Sequence, residues 1–276
     1  MNSNKLLLDK ELPKWYKSEL YIKSGYRPPS TVWLAFKSIG EWHNQTLNIH
    51  SHLWPGIYWL YMFYRSTSNY NWIISNGFLC GALMALFSAY YHTVLCVSAK
   101  YEYISHRLDY IGIVLVNFSH QQLDTYIISY MILNSPCFFY VATAIELCLV
   151  IGSILHISTV TWAGKFWATT YPIISSIPLT VYVVANSSQS KNIEIVASYS
   201  VGCSILVILS ASIFYIGRFP ERCSDGKYDY CSSHFWFHLL IVASVSCAYG
   251  AIPHIQKSAS IENAMSSRFF PTDPLA

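Results

Sequence analysis

Charge is what this chain most lacks. Only 11% of its 276 residues are Asp, Glu, Lys or Arg, against about 25% in an ordinary soluble domain. With 53% hydrophobic and 16% aromatic residues, so few charges could not solvate the surface of a water-soluble fold. The net charge of +3 is small and spread along the chain. No basic block and no nucleic-acid motif is found, which excludes nucleic acid as a partner. The eight cysteines form no CxxC pair and no dense secreted-type framework and fall mostly inside apolar runs, so they read as small buried hydrophobes. The first forty residues hold no apolar stretch ending in a small-residue cleavage site, so no cleavable signal peptide is expected. There is no internal repeat, and no loop is long enough for a second domain.

What is present is a series of apolar runs. A membrane-spanning helix needs roughly 20 mostly apolar residues, and seven stretches qualify, at about 50 to 64, 72 to 96, 108 to 132, 136 to 157, 164 to 186, 193 to 217 and 234 to 254. The breaks between them carry turn and polar residues, as in "RSTSNYN", "NSPC" and "NSSQSKN". The expected architecture is an all-α, seven-helix membrane bundle. It comprises an N-terminal segment over 1–49, a transmembrane domain over 50–254 and a tail over 255–276. Short cytoplasmic segments hold the excess of Lys and Arg in membrane proteins. Thirteen of the 17 lie in the N-terminal segment and the second, fourth and sixth loops. That places the N-terminus in the cytoplasm and the C-terminus outside, in an integral, multi-pass protein of the plasma membrane or an internal membrane.

Under this orientation three polar features reach one depth. "SAYYHTVLC" ends the second helix with Ser88 and His92 four apart on one face. "SHFWFH" opens the seventh with His234 and His238, also four apart. "HRLDYIGI" is expected to open the third at that level and bring Asp109 there. Polar side chains in a membrane helix are costly unless paired or functional. Three imidazoles would suit Zn²⁺ and leave its fourth position open, as in catalytic sites, where zinc lowers the pKa of a water from 15.7 to about 7. Ser88 and Asp109 would then orient that water and accept its proton. Taken singly, each motif also fits interfacial residues at a helix end. His50 and His52, two apart, do not share a face and read as interfacial or capping residues. Asp124 is expected near the outer interface, and Glu146 has no partner that spacing can name.

The segments "GYRPPS", "EWHNQTLNIHSHLWPG", "SAYYHTVLCVSAKYEYISHRLDYIGI" and "RFPERCSDGKYDYCSSHFWFH" resemble, in order and spacing, those of the progestin and adipoQ receptor family. That family includes adiponectin receptors and fungal zinc-homeostasis proteins, with the bacterial haemolysin III proteins related. The resemblance runs from about Gly25 to Gly250. It implies a seven-helix zinc protein in which His92, His234 and His238 hold the metal and Ser88 and Asp109 stand beside it. It further implies a role in lipid and zinc homeostasis, with ceramidase-like hydrolysis of a lipid amide as one reading. A receptor or sensor with a structural zinc is the other, and a zinc transporter a weaker third, because no polar path continues across the bundle. Partners implied are membrane lipids such as ceramide and an extracellular protein ligand; the oligomeric state is left open. One departure stands near the site: the family's "HNET" reads His43-Asn44-Gln45-Thr46, an amide in place of an acid.

Overall fold

The structure is a computed structural model that describes residues 5–67, 72–159, 174 and 176–250. Among these residues all the regular secondary structure is helical, apart from one isolated bridge between Leu7 and Tyr26. A short α1 (Val32–Lys37) precedes α2 (Thr46–Ser66), α3 (Trp72–Val94), α4 (Ala99–Tyr126) and α5 (Pro136–Thr159). Then come α6 (176–185), α7 (Lys191–Leu209) and α8 (Ser233–Gly250). Both α4 and α7 run on into π-helical turns, Ile127–Ile132 and Ser210–Ile216.

The starts are set by local chemistry. Thr31, Ser98 and Ser190 each accept a backbone N–H of the first turn, and Pro136 sits first in α5, where its missing N–H costs nothing. Among the described residues, three helical stretches are long and apolar enough to cross a membrane, Trp72–Val94, Pro136–Thr159 and Lys191–Cys223. The outward faces of the last two bear Ile, Leu, Val and Tyr side chains such as Ile145, Leu155, Ile205 and Ile208, which suits contact with acyl chains.

Two expected boundaries shift. The first long helix begins at Thr46 rather than 50. The third begins at Ala99 rather than 108, because Ser98 caps it and the polar stretch "AKYEYISH" is helical. Asp109 therefore lies ten residues into its helix, about 15 Å along the axis at 1.5 Å per residue, instead of at its mouth. Of the expected fifth span, residues 164–173 and 175 lie outside the described residues, as does the expected tail, 255–276.

α3 and α8 run antiparallel. His92, near the end of α3, meets His234 and His238 at the start of α8, while at the other end the Tyr249 hydroxyl donates to the Gly77 carbonyl. The core between them packs Trp59, Phe78, Met84, Ala85 and Val245. The N-terminal segment folds back on the His92 end. Arg27, only 4% exposed, donates to the carbonyls of His92 at 2.5 Å and Thr93 at 3.0 Å. It thereby satisfies carbonyls that the end of α3 would otherwise leave unpaired. Asp229 accepts from the Lys23 N–H at 3.0 Å and the Ser24 hydroxyl at 2.6 Å, tying the same segment to the loop before α8.

Candidate metal centre

The i,i+4 spacing within α8 puts His234 and His238 on one face, and the antiparallel packing sets His92 against them. The ligand atoms of all three lie within 4.8 Å of one another. His92 Nε2 and His234 Nε2 are 3.2 Å apart, and the His92 and His238 rings are 5.0 Å apart between centroids. The start of α8 is anchored by Glu221. Its carboxylate accepts the Ser233 N–H at 2.7 Å and the Ser233 hydroxyl, which fixes the first turn on which His234 stands.

Hydrogen bonds choose the tautomers. His92 Nδ1 lies 2.8 Å from Gln45 Oε1, an atom that can only accept, so the proton sits on Nδ1 and Nε2 presents a lone pair. His238 Nδ1 lies 3.2 Å from the Asn48 carbonyl and 3.0 Å from the Ser51 hydroxyl. The Ser51 hydroxyl itself donates to that carbonyl, so His238 Nδ1 carries the proton and its Nε2 is free. Two imidazoles with the lone pair on Nε2 and a third ring at hydrogen-bond distance form an all-nitrogen set open on one side. That donor set fits a zinc ion with a vacant fourth position.

Ser88 and Asp109 are brought together as expected. The Ser88 side chain lies beside the Asp109 carboxylate, and both line the cavity that the three histidines face. This cavity has a volume of about 400 Å³ and continues along α4 past Ile113 and Val116 to His120. Its lining is mainly apolar and also includes Lys17, Glu19 and Arg218.

His52 departs from its expected interfacial place. It is 3% exposed, and its ring stacks on that of His238 with centroids 3.8 Å apart and planes 13° apart. Asp124 departs as well: it is buried and accepts from Thr180 at 2.7 Å and Ser200 at 3.3 Å. Glu146 accepts from Thr125 at 2.6 Å and from Gln122. Both acids tie helices together in the half of the bundle away from the histidines. The parts that spacing did not single out are Glu19, Arg27, Asn48, Ser51 and the role of Gln45. Gln45, Asn48 and His52 recur at intervals of three and four, a one-face helical pattern. It becomes visible only once the first long helix is started at Thr46.

Comparison with known proteins now bears on this geometry. The haemolysin-III related family is matched over residues 40–249, which includes all three histidines, Ser88 and Asp109. The chain belongs to that family. The adiponectin receptor protein of Drosophila melanogaster is 29% identical over 266 residues, covering 88% of this chain and 58% of that one. The ADIPOR-like receptor IZH2 of Saccharomyces cerevisiae is 26% identical over 255 residues, covering 86% of this chain and 80% of the yeast protein. The membrane progestin receptor gamma of Homo sapiens is 25% identical, covering 84% and 76%. The resemblance first seen in four short segments thus extends through the bundle, and the chain is a member of a membrane-embedded, adiponectin receptor-like family.

Proposed function

We propose that this haemolysin-III related protein is a seven-span, zinc-dependent membrane receptor that hydrolyses a lipid amide, ceramide being the leading substrate. Its N-terminus lies in the cytoplasm and its C-terminus outside. The observation that carries the reading is the convergence, at one wall of an apolar cavity, of three histidines open on one side with the Ser88–Asp109 pair. The fungal and animal relatives whose names contain "receptor" support the receptor half.

His92, His234 and His238 would hold the metal; what it supplies when bound is Lewis acidity and a water acidified to near neutrality. The rest falls to this chain's own side chains. The long apolar part of the cavity along α4 takes an acyl chain and leaves the amide at the level of the histidines. Ser88 orients the attacking water. An Asp109 carboxylate oxygen takes the proton that leaves this water as its oxygen bonds to the amide carbon. Asp109 then returns that proton to the amine nitrogen as the C–N bond breaks, so that a fatty acid and a sphingoid base leave.

The experiment is release of sphingoid base from ceramide by purified, zinc-replete protein. Release that chelation stops supports the proposal. Zinc-replete protein that hydrolyses none of a panel of ceramides overturns the enzymatic half and leaves a receptor whose zinc braces α3 and α8.

A further inference from the structure

We infer that Glu19 of the N-terminal segment and Gln45 at the start of α2 form a positioning link that sets the orientation of His92, which makes the N-terminal segment part of the metal centre. This rests on the zinc reading above. The Gln45 side chain is used on both sides. Its Oε1 accepts from His92 Nδ1 at 2.8 Å and from Asn48 Nδ2 at 2.8 Å, and its Nε2 donates to Glu19 Oε1. Its main-chain N–H donates to His43 Nδ1 at 3.1 Å, and the His43 Nε2–H donates to the Ser38 carbonyl at 3.1 Å. The backbone from which the amide projects is thereby fixed.

An amide can face either way, and the two ways differ in consequence. Turned over, Gln45 would present its NH₂ to His92 Nδ1 and draw the lone pair there. The proton would move to His92 Nε2, the atom that faces His234, and that nitrogen could no longer accept a cation. The same rotation would set Gln45 Oε1 against a Glu19 carboxylate oxygen, acceptor against acceptor. Glu19, as an acceptor, therefore holds Gln45 in the orientation that leaves His92 Nε2 free.

Glu19 is itself held. Its N–H donates to the Tyr26 hydroxyl at 3.0 Å, which in turn donates to the Ile22 carbonyl at 3.2 Å. Burial holds its carboxyl above the ordinary range, against the smaller opposing pull of the hydrogen bond from Gln45 and then of the Arg218 guanidinium. The segment around it is tied down by Arg27 on the His92 and Thr93 carbonyls and by Asp229 on Lys23 and Ser24. Removing the segment would free Gln45 as well as open the cavity.

The test is zinc retention per folded chain for the full-length protein in detergent, titrated with a competing chelator, with monodisperse yield measured alongside. Glu19→Ala should weaken retention about 10- to 100-fold, the range for partners of metal ligands. A carboxylate at 45 accepts on both oxygens and needs no orienting partner, so adding Gln45→Glu to Glu19→Ala should restore native retention. In a Gln45→Leu background, Glu19→Ala should change nothing further. Glu19→Gln, which fills the same space, serves if the alanine variant folds poorly, and should also weaken retention. Native retention in the Glu19 variants, or no rescue by Gln45→Glu, overturns the inference alone. Native protein that binds no zinc overturns the proposed function and the inference together.

Discussion

The backbone of α4 touches that of α3 where Gly112 meets Met84: a Cβ on Gly112 would stand 2.8 Å from the Met84 Cα. One turn toward the histidine end, on the same two helices, the Ser88 side chain lies beside the Asp109 carboxylate. The close approach is what allows a short serine side chain to reach the carboxylate. Gly112→Ala forces the backbones apart and should destabilise the fold by roughly 1–3 kcal/mol, the usual cost of overpacking. Gly40→Ala, where an added Cβ meets nothing within 4 Å, should leave stability within about 0.5 kcal/mol. Thermal melting in detergent compares the two, and equal melting temperatures would mean that the contact is not tight.

Ser88 and Asp109 separate an enzyme from a braced receptor. Asp109→Asn should retain zinc while sphingoid-base release falls about 10²- to 10⁴-fold, the contribution of a positioned proton acceptor. Ser88→Ala should lower release with zinc likewise retained. Unchanged release in both variants would take these two residues out of the chemistry.

Glu221 governs the start of α8. Its buried carboxylate accepts two hydrogen bonds from Ser233, and bonds to a charged group contribute about 1.5–3 kcal/mol each when lost. Glu221→Ala should lower the melting temperature more than Ser233→Ala, which leaves the bond to the backbone N–H in place. Metal affinity should fall with it, because His234 stands on the turn being released. A Glu221→Ala protein with native melting and native zinc affinity would refute this anchoring role.

Acid should loosen the N-terminal docking. Burial first, and then the nearby Arg27 guanidinium, hold the His43 imidazole down at about 3, against 6.5 for the free side chain. As pH falls through 6.5 the unfolded chain takes up this proton and the folded chain does not. Stability linked to His43 is therefore full above 6.5 and declines progressively toward 3. His43→Gln, which removes the titrating ring, should flatten the fall in melting temperature between pH 7.5 and 5. Parallel curves for the two proteins would show that His43 is not responsible.

The three histidines of the candidate metal centre were legible as a cluster because each pair of helix-end residues, Ser88 with His92 and His234 with His238, sits at a spacing of four and the charge distribution puts both pairs at one end of the bundle. The long apolar runs likewise marked most of the helices. The start of α4 was hidden by its polarity: "AKYEYISH" reads as a loop by hydropathy, yet Ser98 caps it into helix. Glu19, Gln45 and Arg27 were not legible in their roles, since their bonds join residues 26, 47 and 65 positions apart. Such contacts arise from the N-terminal segment folding over the bundle, which no local periodicity encodes. Asp124 and His52 were misplaced for a related reason. Distance along one helix gave the depth of Asp124 and a place at a helix start gave that of His52, but only the neighbouring helices decide whether a side chain faces the interface or the core.

The most direct test of the account is the zinc content of purified, folded protein, measured by elemental mass spectrometry for the native chain and for His238→Ala. The account predicts one zinc per native chain and its loss in the variant. A native chain that purifies without zinc from zinc-replete medium, or a His238→Ala chain that keeps its zinc, would contradict it.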